Sequence, residues 1–156
     1  MHKLENKKVS ILLIALSSPI QLGIYLDNKL IETIQSNKKS SDILALIFKE
    51  LLEKYDVEKL FYVNGPGSFM AIKVTYIFLK SLSILKNIPL YATDAFKFNQ
   101  NAPIKAIGKL HFVNVSSQIR TQKLENIEES KFILPFILNQ KEFSTNTEPL
   151  YIIGAV

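Results

Sequence analysis

The sequence predicts an α/β domain whose strands and helices alternate after an antiparallel opening. Three observations predict it. Residues 9–16 form a nearly continuous apolar run of strand length, the pattern of a strand covered on both faces. Two segments, 43–55 and 69–86, repeat apolar residues at helical spacing. Short apolar runs of strand length, 60–63 and 90–92, then follow these two segments in turn.

Taken in order, the run at 9–16 is a central strand. Residues 20–26 and 30–35 flank Asp27-Asn28-Lys29, a polar group that tolerates left-handed backbone, and so read as a hairpin. Ser40, Ser41 or Asp42 can cap the first helix, in which Ile43, Leu44, Ile47, Phe48, Leu51, Leu52 and Tyr55 span about half the circumference. Asp42, Lys49 and Glu53 take its other side. The strand at 60–63 ends in Asn64-Gly65-Pro66-Gly67, and Ser68 can cap the second helix, 69–86. In that helix apolar residues point almost all round, and Lys73 with Lys80 is the clear charged stripe. Asn87-Ile88-Pro89 stops it, 90–92 is a short strand parallel to 60–63, and Thr93-Asp94 is a turn in which Asp94 serves as a cap or faces a cleft.

Beyond residue 96 the pattern loosens. Residues 97–103 read as an Asn/Gln-rich linker, 105–115 as one or two strands, 118–131 as polar, 132–138 as apolar but broken by Pro135, and 150–153 as a last strand. The expected organisation is an N-terminal lobe over 1–98 and a truncated C-terminal lobe over 99–156. Three meandering strands, helix, strand, helix, strand is the order of an RNase-H-like or actin-like domain, since a Rossmann domain opens with βαβ.

Composition narrows the chemistry. With no cysteine, the chain has no disulfide framework, no thiol nucleophile and no thiolate metal site, which fits a reducing compartment. His2 and His111 make no histidine cluster, and His111, in an expected strand, reads as structural. Nineteen Lys and Arg against fourteen Asp and Glu give +5, a mild polyanion preference, but Arg120 is the single arginine, so bidentate phosphate recognition is not a theme. No apolar stretch reaches the ~20 residues of a membrane span, and no A-x-A-like cleavage site follows 9–16, so a cytoplasmic protein is expected.

Gly65-Pro66-Gly67-Ser68 is the one loop that invites a phosphate-binding reading, because amides ahead of a helix bind anions. It lacks the Walker pattern, and Met70 stands where a dinucleotide fingerprint needs its third glycine. The plain reading is a tight turn with Ser68 as N-cap; the alternative is an actin-like ATPase or phosphotransferase using this turn. Such enzymes place a carboxylate on the first strand to hold magnesium, and here that strand ends Ile14-Ala15-Leu16-Ser17. Neither a G-x-S-x-G motif nor a serine–histidine pair is evident, and no metal or cofactor is expected. What remains is the apolar surplus of the second helix, joined by the wide face of the first, which marks an interface unless the C-terminal segment covers it.

Ile11-Leu12-Leu13-Ile14 with Ser17, then Gly65-Pro66-Gly67-Ser68-Phe69 opening a helix, then Asn87-Ile88-Pro89-Leu90 closely resemble the bacterial TsaB (YeaZ) family, over residues 9 to about 96. The resemblance implies an actin-like ASKHA fold with a shortened second lobe and a protein without catalysis of its own. It implies partnership with TsaD, which transfers a threonylcarbamoyl group to adenosine 37 of tRNA, a homodimer when TsaD is absent, TsaE joining the heterodimer, and tRNA reached through the complex. The implied interface is the helix pair, with Ile43, Ile47, Ala71, Ile72, Thr75, Phe78, Leu79 and Leu82 as its residues; Ala71→Arg or Leu79→Glu is expected to break association and leave the monomer folded. The sequence departs from the family where Ala15 replaces the usual first-strand acid and where Ala71 and Thr75 replace glycines four apart.

Overall fold

A computed structural model of the chain describes residues 7–128 and 131–151. Its main sheet contains β1 (Lys8–Ile14), β2 (Ile20–Leu26), β3 (Lys29–Ser36), β4 (Asp56–Val63) and β5 (Leu90–Thr93) in the order β3-β2-β1-β4-β5. β3, β2 and β1 pair antiparallel, and β1, β4 and β5 parallel. The parallel strands require crossovers, supplied by α1 (Ser40–Lys54) and α2 (Phe69–Lys86).

The central position expected for residues 9–16 holds, and the two-residue period of a strand explains why that run has no polar face. Val9, Ile11 and Leu13 point to one side, into a core with Ile43, Phe48 and Leu51 of α1 and Leu79 of α2. Leu12, Ile14 and Leu16 point to the other, into a second core with Phe61, Phe96, Phe112 and Leu138. One face of the sheet therefore carries the helices and the other carries the second half of the chain.

That second half differs in several places from the expected pattern. Residues 97–103 are not a plain linker, because a 3-10 turn at Ala95–Phe98 buries Phe96 and Phe98, and Asn99 is buried behind it. Asp94 caps this turn, accepting from the Phe96 amide at 2.9 Å. A separate three-stranded antiparallel sheet follows, formed by β6 (Ile104–Lys105), β7 (Leu110–Val115) and β8 (Gln118–Lys123). β8 was hidden in a polar run because its face away from Phe112 is bare: only Ile119 packs inward and the rest are polar.

Residues 132–138 form no strand, since Pro135 has no amide to donate, yet they are tied down as a strap across the hairpin. Gln21 Nε2 donates to the Phe132 carbonyl at 2.9 Å, Tyr25 Oη to that of Pro135 at 2.7 Å, and the Leu30 amide to that of Phe136 at 2.9 Å. The chain then runs along the β5 edge, where Ser144 and Ala92 exchange backbone hydrogen bonds of 2.8 and 2.9 Å. Leu150 is not in a strand but donates to the Asn64 carbonyl at 2.8 Å; the rest of the strand expected over 150–153, from 152 onward, lies outside the described residues. Ser40, Ser41 and Asp42 do not cap α1 either. Lys39 occupies the cap position without a side-chain bond, and its carbonyl receives the Asp42 and Ile43 amides.

Candidate functional site

The Gly-Pro-Gly turn joins β4 to α2 at the carboxyl end of the parallel strands, where open α/β sheets place their clefts. Gly65 has φ +121°, a conformation L-residues avoid, and a Cβ there would lie 3.1 Å from Ile72 Cδ1 and 3.2 Å from the Leu150 carbonyl oxygen. Gly65 and Pro66 are buried, and Gly67 lies so close to β1's end that a Cβ would meet that of Leu16 at 3.2 Å. Ser68 is the N-cap of α2, as expected, with its Oγ accepting from the Ala71 amide at 3.4 Å. Phe69 is partly exposed and rests on Tyr151, ring centroids 4.5 Å apart.

The turn forms one wall of a cleft of about 500 Å³. Leu16 and Ser17 from the end of β1, Ile72 from α2 and the β6–β7 segment from Ile104 to Phe112 complete it, together with Phe132. Among the described residues no group of three or more histidines and carboxylates converges to hold a metal.

The structure redistributes the expected helix-pair residues. Ile43, Ile47, Ile72, Thr75 and Leu79 are buried inside the chain, with Leu79 fully inaccessible, so they are core and not surface. The physical reason is that a helix lying on a sheet must give its sheet-facing stripe to the core. Leu79→Glu therefore places a charge in the monomer's own core, a correction to the expectation that the fold survives it. Ala71 is half-buried; Phe78 and Leu82, also half-buried, line a groove of about 420 Å³ between the helices with Ala45, Phe48 and Leu52.

The exposed part of the surplus lies elsewhere. Met70, Lys73, Ile77, Lys80 and Ile84 follow one another at steps of three and four, one straight stripe along α2, and Ile84 and Leu85 are 71% and 80% exposed. Met70, Ile77 and Ile84 are seven apart, as are Lys73 and Lys80. The signal was in the sequence, since the lysine stripe marks the outward side and these three apolar residues share it. The C-terminal segment reaches Phe69 through Tyr151, while Met70, Ile77, Ile84 and Leu85 remain exposed.

Among solved structures, the chain is similar to YeaZ from Pseudomonas aeruginosa, with a TM-score of 0.59 over 82% of this chain at 10% identity. The fold is that of YeaZ. A second similar structure is an uncharacterized protein with similarity to peptidase YEAZ from Pseudomonas aeruginosa, with a TM-score of 0.57 over 78% of this chain at 11% identity. At this identity the likeness to YeaZ is one of fold. The chain spans 65% of the length of the YeaZ structure and 69% of that of the uncharacterized protein. No protein-family model matches the sequence, and no curated protein does. No helix among the described residues is long and apolar enough to cross a membrane.

Proposed function

We propose that this chain is a TsaB-type scaffold of the actin-like, RNase-H-like class, without catalysis of its own, that pairs with TsaD and supports threonylcarbamoylation of tRNA adenosine 37. The observation that supports this reading most is the exposed stripe Met70, Ile77, Ile84 beside Leu85 on a helix whose opposite side is already committed to the core. Isolated apolar side chains are ordinary on a surface, but three in register at seven-residue spacing form a continuous strip suited to another helix.

Lys73 and Lys80 lie in the same strip and set a preference for a partner with carboxylates opposite them. The groove between α1 and α2 extends the docking surface towards Phe78 and Leu82. The Gly65 to Ser68 turn, in this reading, positions the start of α2 and takes no part in chemistry. TsaE and tRNA are reached through the heterodimer, in the cytoplasm, and a homodimer through the same strip forms when TsaD is absent.

Size exclusion with light scattering, on this chain alone and mixed with the TsaD of the same organism, tests the proposal. A one-to-one complex that Ile77→Glu and Ile84→Glu abolish supports it. A mixture in which each protein keeps its own mass overturns it.

A further inference from the structure

We propose that the outward face of the small sheet formed by β6, β7 and β8 binds RNA, contacting its backbone phosphates and 2′-hydroxyl groups. The inference rests on charge and sheet geometry and not on the scaffold reading, in which tRNA is reached through the heterodimer. Residues 95–124 contain five cations, Lys97, Lys105, Lys109, Arg120 and Lys123, and no acid. The rest of the sequence balances at fourteen of each sign, so this one segment holds the whole +5 of the chain, and a charge so placed favours a polyanion.

Sheet pairing decides which residues share a face, since residues directly opposite each other project to the same side. Ile104 lies opposite Phe112, both pack into the second core, and Ile119 packs against it, which fixes the inward side. Lys105 opposite His111, His111 opposite Gln122, Val113 opposite Arg120 and Val115 opposite Gln118 therefore take the outward side. His111 is buried in the cleft wall at one end, whereas Gln118, Arg120 and Gln122 along β8 are all exposed. Lys97 pairs with Asp94 at 3.4 Å and Lys109 with Glu125 at 2.6 Å. Lys105, Arg120 and Lys123 form no ion pair among the described residues, although Glu128 shares the cleft lining with Lys105.

Gln118, Arg120 and Gln122 follow one another on one side of a single strand, about 7 Å apart, a cation between two amides. A guanidinium donates to phosphate oxygens, and a primary amide both donates and accepts, as the 2′-hydroxyl of RNA does. A flat sheet face fits the wide, shallow minor groove of A-form RNA, whereas reading B-DNA takes an element that enters its major groove. The same face suits a lipid surface poorly, because its exposed or half-buried apolar groups are Val113 and Val115, without the Trp, Phe or Leu that anchor an interfacial segment. Its exposed residues include no aromatic ring on which a base could stack, so the contacts are to backbone and carry little sequence preference.

The test uses the full chain without a partner, so its failure leaves the scaffold reading as it stands. The probe is a fluorescein-labelled, blunt-ended RNA hairpin followed by anisotropy. The expected result is saturable binding at ~50 mM salt, with log affinity falling against log salt at a slope of roughly −1.5 to −2.5, for two or three phosphates engaged. Arg120→Gln is expected to weaken binding about tenfold and to lessen that slope by about 1. Lys38→Gln removes the same charge from an exposed residue outside the face and is expected to leave binding unchanged. Both variants keep the parent's thermal transition, because both side chains are exposed. A DNA hairpin of the same sequence binds several-fold more weakly, and Gln118→Ala with Gln122→Ala narrows that difference. The proposal is overturned by an absence of saturable binding, by equal losses in the Arg120 and Lys38 variants, by DNA bound as tightly as RNA, or by capture on phosphatidylserine vesicles or polyglutamate but not on the hairpin.

Discussion

Phe61 of β4 meets Phe143 edge-on, with ring centroids 4.7 Å apart and ring planes at 65°. The contact joins the centre of the main sheet to the segment that runs along the β5 edge, and Phe61 also stacks on Tyr91 at 5.3 Å. Edge-on aromatic pairs add to what burial alone contributes.

Phe143→Ala is expected to lower stability by about 2 kcal/mol, less than for a fully buried ring because Phe143 is half-buried. Urea denaturation with an unchanged slope would report it as a loss of contacts in the native state. An unchanged midpoint would show that the segment does not stabilise the sheet.

Leu79→Glu and Ile77→Glu, two positions apart on α2, are expected to behave oppositely. The first buries a carboxylate in the core that α2 shares with α1 and the sheet and costs several kcal/mol, about 3–5, enough to unfold a domain of this size. The second changes stability by no more than ~0.5 kcal/mol, since Ile77 is 53% exposed, and shows its effect in association. Melting curves of the isolated variants separate the two; a folded Leu79→Glu protein would contradict the packing of α2.

Gly65→Ala is expected to destabilise the chain by roughly 1–3 kcal/mol, because φ +121° is strained for any L-residue and the new methyl group meets Ile72 and Leu150. Gly108→Ala is the control. Its φ is +55°, but no atom lies within 4 Å of the added Cβ, so it carries the strain without the clash. Equal losses at the two sites would show that crowding at the turn contributes nothing.

Stability should also fall in acid through Glu32. The Tyr55 hydroxyl donates to its carboxylate and Lys54 Nζ lies 3.0 Å from it, and these two, the hydroxyl first, hold the carboxyl below the ordinary glutamate value of 4.5. A depressed carboxyl contributes above its unfolded value, and that contribution disappears as pH falls through the folded one. Glu32→Gln should flatten this part of the acid limb by less than ~1 kcal/mol, since solvent screens the pair. An identical pH dependence in the variant would remove Glu32 from the account.

The first half of the fold is legible in the sequence because its signals are local. A nearly continuous apolar run from 9 to 16, broken only by Ser10, requires cover on both faces, and both faces are covered. Asp27-Asn28 turns the hairpin with φ values of 50° and 66°, and Asn87 ends α2 at φ 55°. The second half was not legible because its order comes from distant partners. Residues 132–138 have no strand pattern, and hydrogen bonds from Gln21, Tyr25 and Leu30 hold them instead. The turn residues of the candidate site were readable for the same local reason, while the cleft they line needed Ile104, His111 and Phe132 brought to them by tertiary structure. The helix periodicity identified an apolar excess, and the interface residues that the family resemblance implied include Ile43, Ile47, Ile72, Thr75 and Leu79, which face the core; the lysine stripe, not the apolar period, marks the outward side.

The two-faced burial of β1 has a consequence for biosynthesis. Helices α1 and α2 follow β1 promptly and cover one face, but the cover of the other is complete only with Leu138 and Phe143. At translation rates of 5–20 residues per second, the roughly 80 residues between Val63 and Phe143 take on the order of 4–16 s to emerge. Over that interval the strip of Leu12, Ile14, Phe61 and Val63 gains Phe96 and Phe112 as cover but not yet Leu138 or Phe143, so part of it stays bare on the nascent chain. A holdase would recognise such a strip, and a message that stops before residue 132 would yield a product that aggregates through it.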